Sequence, residues 1–529
     1  MVSVLSVARR QVAGIMRLEV GIAMLDDWRV YAHDFVEATL LRRVFHTRHT
    51  WLGVAAGFLM AASVAVAAGW LLGEFGPLPV VVLAVAFGLG LWMLRNIEVA
   101  FWGVLGIIAL LPFGSLPFKI GFTPTFLDLA LLALFGLWFV PIILGRDPDW
   151  RVTPLDGPVL AFMLLAIGSF VAGLSHGALT SYLIRHFAEI LLSIAIFYVV
   201  VNLVRDSERL ERLLRVFLLV SAGAAVLGIV LYYLPDDLVI RLLSALGRFG
   251  YPTGSGVLRY IRDDPELMQR ATSTSVDPNA LGSLLNVALA LAAPQLFARR
   301  PIFKRVVLFP LLAVLVACLG LTISRGAVAG VAGALLALGA VRYRKLLFLL
   351  LIALLLVSLL PWTQGFVSHF LEGVRGEDLS TKMRFGEYKD AFILIARYPL
   401  LGVGFAGSPD IDTYIGVANV YLIIAEQMGL VGLGGFLLVC AILFFRFWRR
   451  RAVARTLPRL EPLWYGLHAA VLGGLGAGVF DRYFFSLDFH HSVTLFWILL
   501  ALATATTQLV DSANAQRSEG LASGMHSTS

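Results

Sequence analysis

Four arginines have the side-chain type and the position to do chemistry: Arg270, Arg325, Arg384 and Arg397. All four are predicted to lie on the outer side of the membrane, where the distribution of basic residues does not require a cation. A guanidinium group is planar, stays charged, and matches a phosphate with two parallel hydrogen bonds. The four arginines together therefore favour a phosphate-bearing anionic ligand at the membrane surface.

Two of these arginines have the more informative surroundings. Arg325 lies between Ser324 and Gly326 at a predicted turn, where a glycine would let a phosphate approach the backbone. The alternative is an interfacial arginine that contacts lipid headgroups. Arg384 belongs to a helix predicted from about 380 to 398, which Pro399 ends.

On that helix Tyr388 follows Arg384 by four residues and shares its face, although aromatic residues at this spacing also serve as packing residues. Arg397 falls at the helix C-terminus, which attracts cations without any ligand. Asp277 and Asn279 precede an apolar segment, where they are able either to cap a helix or to bind a sugar hydroxyl.

Other polar pairs give weaker indications. Asp410 and Asp412 form an Asp-x-Asp pair, but two loop carboxylates without further ligands are a poor magnesium or manganese site. Arg185 and Glu189 are explained by an ordinary ion pair, and Asp481, Arg482, His490 and His491 surround the last outer loop, where they are able to line a cavity. The sequence predicts no metal and no cofactor.

The composition decides what positions these residues. Of the 529 residues, 59% are hydrophobic and 14% are charged, whereas a soluble domain carries about 25% charged residues. A membrane-spanning helix needs about 20 apolar residues. Fourteen segments qualify, at 51–72, 78–95, 97–113, 126–144, 158–174, 187–204, 213–234, 281–298, 306–323, 325–341, 345–360, 419–446, 464–480 and 491–510.

Three of these segments, the third, tenth and eleventh, are short enough to be half-helices. We therefore predict an all-α polytopic integral membrane protein with about 12–14 transmembrane helices. The composition excludes a disordered chain and a nucleic-acid binder, and the two cysteines, Cys318 and Cys440, are predicted to be buried packing residues.

Lys and Arg alternate between loops, as the positive-inside rule requires. The basic loops contain Arg42, Arg43, Arg205, Arg209, Arg299, Arg300, Arg342, Arg344, Arg449 and Arg450. This pattern predicts that both termini are cytoplasmic and that two long loops are outside.

The predicted organisation has seven parts. They are a cytoplasmic amphipathic segment (1–48), an N-terminal transmembrane bundle (49–234), an outer loop (235–280), core transmembrane helices (281–360), a catalytic outer loop (361–418), C-terminal transmembrane helices (419–510) and a disordered cytoplasmic tail (511–529).

Three motifs, in order along the chain, resemble the O-antigen ligase and polymerase superfamily of bacterial envelope proteins. They are Ser324-Arg325-Gly326-Ala327, then Arg384 with Tyr388 and Pro399-Leu400-Leu401-Gly402-Val403-Gly404, then Asn419-Val420-Tyr421-Leu422 with Glu426, Gly429 and Leu430. The segment from Arg270 to Asn279 is also similar to the entry to the family's core. The resemblance covers about half of the chain.

The resemblance implies a multi-span glycosyltransferase of the GT-C type in the bacterial inner membrane. Its donor would be an undecaprenyl-pyrophosphate-linked glycan, its acceptor another glycan, and it would use no nucleotide sugar. It implies that Arg325 and Arg384 are catalytic and hold the leaving pyrophosphate. We expect Arg270, Asn279, Tyr388, Arg397, Asn419 and Tyr421 to bind substrate, and the candidate partners are membrane lipid, a chain-length regulator and a flippase.

One position departs from the family pattern. Ligases of the family carry a histidine immediately before the asparagine of the third motif, and here that residue is Ala418. A methyl group cannot accept a proton, so a base would have to come from elsewhere, with Asp410, Asp412, Glu426 and Asp481 as candidates. Polymerases of the superfamily often lack this histidine, which favours polymerisation of lipid-linked repeat units, for O-antigen, capsule or exopolysaccharide.

Two alternatives stay open at this point. The first is a ligase that transfers glycan to a lipid A core or to a protein. The second is a flippase or transporter of lipid-linked glycans, for which related halves and paired broken helices are typical.

Overall fold

The computed structural model describes residues 88–117, 122–145, 150–359, 379–407 and 416–526, together with Arg375 and isolated positions between 55 and 85. The chain divides after Leu91, and the compact unit from Trp92 to Ser529 contains everything that follows. The predicted N-terminal segment (1–48), the first predicted span (51–72) and much of the second (78–95) lie outside the described residues.

The unit is built almost entirely of α-helices. From residue 97 onward these are α1 (Ile97–Leu110), α2 (Phe126–Ile143), α3 (Asp156–Gly173), α4 (Ser181–Leu203), α5 (Ser207–Tyr233), α6 (Asp236–Ser244), α7 (Pro278–Ala292), α8 (Arg305–Thr322), α9 (Arg325–Val341), α10 (Lys345–Leu359), α11 (Leu379–Arg397), α12 (Val420–Ala454), α13 (Glu461–Ala477) and α14 (His490–His526).

Short 3-10 helices interrupt the connections, at Ala245–Phe249, Gly254–Val257, Ile261–Asp263, Ala293–Phe297, Tyr483–Phe485 and Leu487–Phe489. In the described residues, the named strands are β1 (Arg259–Tyr260) and β2 (Gln269–Arg270), an antiparallel pair in which Arg259 lies opposite Arg270. This hairpin interrupts the long loop between α6 and α7.

Eight of the described helical segments are long and apolar enough to cross a membrane: α2, α3, α4, α5, α7 with the 3-10 turn after it, α8, α12 and α14. Three shorter apolar helices, α1, α9 and α10, correspond to the three segments whose shortness the sequence already indicated. The prediction of an all-α polytopic membrane protein is confirmed.

Polar caps explain where many of these helices begin. A cap side chain accepts a hydrogen bond from a free backbone N–H of the first turn, which an apolar residue cannot do. The N-cap residues that do so are Asn96, Thr125, Thr180, Asp206, Asp277, Ser324 and Asn419. Helix starts at predicted loop ends are therefore encoded locally.

The centre of the bundle is formed by α7, α13 and α14. The apolar windows of α7 and α14 are 89% and 94% buried, whereas those of α2 and α3 are 28% buried. Helix α13 packs against both α7 and α9, and α14 packs against α4. Helices α2 and α3 therefore leave most of their surface uncovered by the rest of the described unit, while α7 and α14 do not.

Helix α12 is broken at Gly429, whose φ of 67° belongs to the left-handed region. The loop after α11 fills the break: Val403 N donates to Glu426 O at 2.8 Å, and Leu430 N donates to Pro399 O at 2.7 Å. A side chain at Gly429 would collide with the Leu400 carbonyl. Two of the motifs that carry the family resemblance thus meet here, and they replace the backbone hydrogen bonds that the break removes.

The C-terminal helix is longer than the sequence indicated. Helix α14 continues to His526, where a disordered tail was expected from residue 511. Asp511 accepts from Arg446 Nη2 at 2.7 Å and lies 2.6 Å from Arg450 Nε, and Arg517 donates to Thr456 O at 3.1 Å. These contacts with and just after α12 anchor the start of a segment whose composition alone is typical of disorder.

Candidate functional site

A cavity of about 340 Å³ lies where several helices begin. We call it the arginine cavity. Its lining consists of Tyr260, Ile261, Arg262, Asp263, Arg270, Asn279, Ile323, Arg325, Gly326, Met383, Arg384, Glu387, Ala418 and Asp481. The volume is in the range of ligand pockets and is large enough for a pyrophosphate and part of a sugar.

Six parts of the chain contribute to the cavity. The β-hairpin forms one side, the first turns of α7 and α9 form the second, and α11 forms the third. The residue before the cap of α12 and the loop between α13 and α14 complete it. Four of the predicted site residues, Arg270, Asn279, Arg325 and Arg384, therefore converge on one space.

Arg270 is held by the backbone of one helix and by a side chain of another. Its Nε donates to Thr322 O at 2.9 Å, and its Nη2 donates to Asn279 Oδ1 at 2.6 Å. Burial lowers the pKa of the Arg270 guanidinium, with Asp277 opposing that shift. A positive charge held this way gains stability from an anion placed beside it.

Asp277 has a structural role in this arrangement. Its Oδ1 accepts from Asn279 N at 2.7 Å and Ala280 N at 3.1 Å, and so caps α7. The same oxygen accepts from the Tyr483 hydroxyl at 2.8 Å. Capping, the first of the two roles the sequence allowed, is the one the structure has, and it orients Asn279 toward Arg270.

Arg325 is the first residue of α9. Ile323 turns the chain with a φ of 52°, and Ser324 caps the helix by accepting from Ala327 N at 3.4 Å. Gly326 was expected to make room for a ligand phosphate, but that space is occupied: a Cβ there would lie 2.6 Å from Asp481 Oδ2. The glycine lets the carboxylate, rather than the ligand, approach the helix.

Arg384 and Asp481 form an ion pair across the cavity wall, with 3.5 Å between Nη2 and Oδ1. The Asp481 side chain is only 9% exposed and that of Arg384 22%. Burial raises the pKa of the Asp481 carboxyl to about 7, against the opposing effect of the Arg384 guanidinium. Asp481 therefore carries only part of a negative charge at neutral pH.

The lining as a whole is electropositive. It contains four guanidinium groups and three carboxyl groups, Asp263, Glu387 and Asp481, which leaves a formal charge of +1 when all are ionised. Partial protonation of Asp481 makes the balance more positive. Arginines gathered around a partly desolvated space are an arrangement that binds phosphate oxygens.

Residues 310–437 match a family model described as O-Antigen ligase. This segment of the chain is therefore similar to the O-antigen ligase family. No curated protein sequence matches the chain. The match supports glycan transfer of the ligase or polymerase type and, with it, lipid-linked glycan substrates.

The matched segment contains only part of the arginine cavity. Arg325, Arg384 and Ala418 lie inside it, while Arg270 and Asp481 lie outside. The superfamily segment therefore supplies α9, α11 and the start of α12, and the rest of this chain completes the cavity around them.

The other predicted residues lie beside the cavity or away from it. Asn419 caps α12 and donates from Nδ2 to Val479 O at 2.9 Å, and the Tyr388 hydroxyl is 3.5 Å from the same oxygen. The Tyr421 hydroxyl donates to Leu475 O at 2.9 Å. Arg397 is exposed near the end of α11, and none of the four is among the residues that line the cavity.

The candidate bases separate in the same way. Asp481 lines the cavity, whereas Glu426 is buried inside α12 and is absent from the lining. Asp410 and Asp412 fall outside the described residues. Sequence reasoning missed Glu387, which lines the cavity, although its position three residues after Arg384 on a helix puts the two side chains on one face.

Proposed function

We propose that this chain polymerises undecaprenyl-pyrophosphate-linked oligosaccharide repeat units at the periplasmic face of the inner membrane, with both termini in the cytoplasm. The product would be an O-antigen, a capsule or an exopolysaccharide. The observation that supports this most is the convergence of Arg270, Arg325 and Arg384 on one cavity.

The chemistry requires such a cavity. Transfer of a glycan breaks the bond between its anomeric carbon and the pyrophosphate, and negative charge accumulates on the leaving oxygen. Fixed guanidinium groups stabilise that charge because they are already oriented when it develops. Arg325 and Arg384 are proposed to hold the pyrophosphate, with Arg270 and Asn279 binding the donor beside them.

The residue just before the cap of α12 favours polymerisation over ligation. Ala418 lines the cavity there, and the described lining contains no histidine. A ligase that depends on imidazole at that position would find a methyl group there, which cannot accept a proton.

Ligation to a lipid A core or to a protein is the second candidate function, because the family model that matches is described as O-Antigen ligase. Both reactions release undecaprenyl pyrophosphate, so they differ in the acceptor and not in the donor half of the site.

A glycan gel from cells that lack the protein separates the two. Under the proposal, single lipid-linked repeats accumulate and long chains disappear, and the wild-type gene restores them. Long chains that remain on undecaprenyl pyrophosphate but never reach their final acceptor would establish the ligase instead.

A further inference from the structure

Glu387 faces the arginine cavity from the same helix as Arg384. The two residues are three positions apart on α11, which puts their side chains on one face. Both line the cavity, and Glu387 is half-buried. Helix α11 therefore presents two groups to the cavity, a guanidinium group that is placed to contact the leaving group and, three residues later, a carboxylate.

The Glu387 carboxylate is fixed at the start of α12. Its Oε2 accepts a hydrogen bond from Ala418 N at 3.1 Å. A single backbone contact orients the carboxylate but leaves most of its lone pairs free to accept another proton. The Glu387 carboxylate is thus held next to Ala418, whose methyl side chain cannot accept a proton.

The other two cavity carboxylates are engaged differently. Asp481 lies 3.5 Å from Arg384 and is enclosed, while Asp263 lies 3.8 Å from Arg259 with 80% of its side chain exposed. A carboxylate that faces an arginine at these distances is already engaged in an ion pair, which the uptake of a proton would break. Among the carboxylates of the described lining, Glu387 is the one that accepts a hydrogen bond from a neutral backbone amide.

We propose that Glu387 takes the proton from the acceptor hydroxyl during glycan transfer in the arginine cavity. This inference rests on the proposed function, since it requires a sugar hydroxyl and a lipid pyrophosphate donor in that space. It assigns α11 both halves of the reaction, with Arg384 at the leaving group and Glu387 at the nucleophile.

The acceptor oxygen forms a bond to the anomeric carbon of the donor, and the bond between that carbon and the pyrophosphate oxygen breaks. The electron pair leaves with the pyrophosphate, next to the arginines. The proton of the acceptor hydroxyl passes to the Glu387 carboxylate, which prevents a build-up of positive charge on the attacking oxygen.

The test uses the purified full-length protein in lipid nanodiscs with a lipid-linked repeat unit. Glu387→Gln keeps the side-chain shape and an oxygen for Ala418 N but removes the base. We expect the release of undecaprenyl pyrophosphate to fall by about 10²–10⁴-fold, the usual contribution of general base catalysis, while donor affinity stays within about twofold. Glu266→Gln, on the exposed hairpin tip outside the lining, is the matched control.

A second variant distinguishes catalysis from a structural role. Adding Ala418→His to Glu387→Gln places an imidazole beside the missing base, and we expect partial recovery of turnover. The recovered activity should fall as the pH drops below about 6.5, where imidazole becomes protonated. A merely structural effect of Glu387→Gln would not be rescued in this pH-dependent way.

The outcomes separate the two proposals. Wild-type turnover in Glu387→Gln, or a loss explained entirely by weaker donor binding, would overturn the role of Glu387. If the wild type releases undecaprenyl pyrophosphate without making chains, polymerisation fails, yet the comparison of the variants still decides the base.

Discussion

Two regions of this molecule combine arginine with carboxylates. They differ in whether the opposite charges pair with one another or leave an excess of positive charge around an open volume. The first is the arginine cavity. The second lies in the α2, α4 and α14 region and consists of Asp128, Arg185, His186, Glu189 and His490, which we call the ion-pair network. In the network, Arg185 Nε lies 2.8 Å from Glu189 Oε1, and its Nη2 lies 3.4 Å from Asp128 Oδ2.

Histidine side chains fill the rest of the ion-pair network. The His490 ring lies between the two carboxylates, 3.5 Å from Glu189 and 3.9 Å from Asp128, and His186 Nδ1 is 2.9 Å from Glu189. Asp128, Glu189 and His490 are close enough to hold a metal ion by distance alone. However, each carboxylate already has a guanidinium partner, and the two nitrogens of the His490 ring face different carboxylates.

The comparison shows that residue type alone does not identify a site. In the ion-pair network the opposite charges meet one another and join three helices, so that loss of one partner would leave an uncompensated buried charge. In the arginine cavity the guanidinium groups outnumber the carboxylates and surround an open volume. An excess of one charge around an open volume is the feature that indicates a ligand.

We expect the largest effect on glycan transfer when an arginine of the cavity is removed. Arg325→Ala or Arg384→Ala should lower glycan transfer by about 10²–10³-fold, because each removes a donor that stabilises the leaving charge. Lysine at either position should rescue poorly, since it cannot form the paired hydrogen bonds of a guanidinium. Turnover per mole of purified, membrane-inserted protein is the measurement.

Arg241→Ala provides the control, because Arg241 is an exposed arginine of α6 outside the cavity lining. Its turnover should stay within about twofold of wild type, as is usual for surface substitutions. Wild-type chain lengths in both cavity variants would remove the proposed site.

The ion-pair network should respond in the opposite way. Glu189→Gln removes the closer of the two carboxylates that pair with Arg185, in a nearly closed space where the Glu189 side chain is 4% exposed, and leaves Asp128 as the remaining negative partner. We expect the free energy of unfolding to fall by about 3 kcal/mol, while turnover per folded molecule is unchanged. Thermal unfolding in detergent measures the first quantity and the lipid-linked donor assay the second.

Asp237→Asn, on the exposed face of α6, should leave the unfolding temperature unaltered and controls for loss of an acidic group. If the Glu189→Gln protein were fully stable but inactive, the ion-pair network would be a second functional site. The proposed difference between the network and the arginine cavity would then be wrong.

The smallest effect concerns pH. The raised pKa of Asp481, about 7, means that this carboxyl gains a proton as the pH falls from 8 to 6. The cavity then becomes more positive, while the charge of a pyrophosphate diester does not change. We expect the donor to bind more tightly at pH 6 than at pH 8, by about tenfold at most, because binding and protonation are linked.

The linkage is tested by titrating the donor at both pH values in wild type and Asp481→Asn. The variant should bind at both pH values with about the affinity of the protonated wild type, so its pH dependence should be lost. An equal slope in the two proteins would show that another group is responsible.

Much of the helical framework was predictable from the sequence, because its signals are local. Runs of apolar residues predicted the spans, and Pro399 predicted the end of α11. The end of α14 was less predictable, because tertiary contacts decide it: Asp511 pairs with Arg446 and Arg450, and α14 continues where composition suggested disorder.

The site was predictable only in part, for the same reason. The outward arginines could be found one at a time, but the pairing of Arg384 with Asp481 joins residues far apart in the chain. Tyr421 belongs to the third family motif and was expected to bind substrate. Its hydroxyl instead donates to Leu475 O, and Tyr421 is not among the residues that line the cavity. The spacing of Glu387 from Arg384 is visible in the sequence. The hydrogen bond between Glu387 and Ala418 N, which suggests a role for the carboxylate, is visible only in the structure.

The most direct test of the account is a structure of the wild-type protein with a lipid-linked repeat unit bound. The account predicts the pyrophosphate in the arginine cavity, with oxygens within about 3 Å of the Arg325 and Arg384 guanidinium groups, as charge-assisted hydrogen bonds require. A pyrophosphate bound elsewhere, with those two arginines still turned toward protein groups, would contradict it.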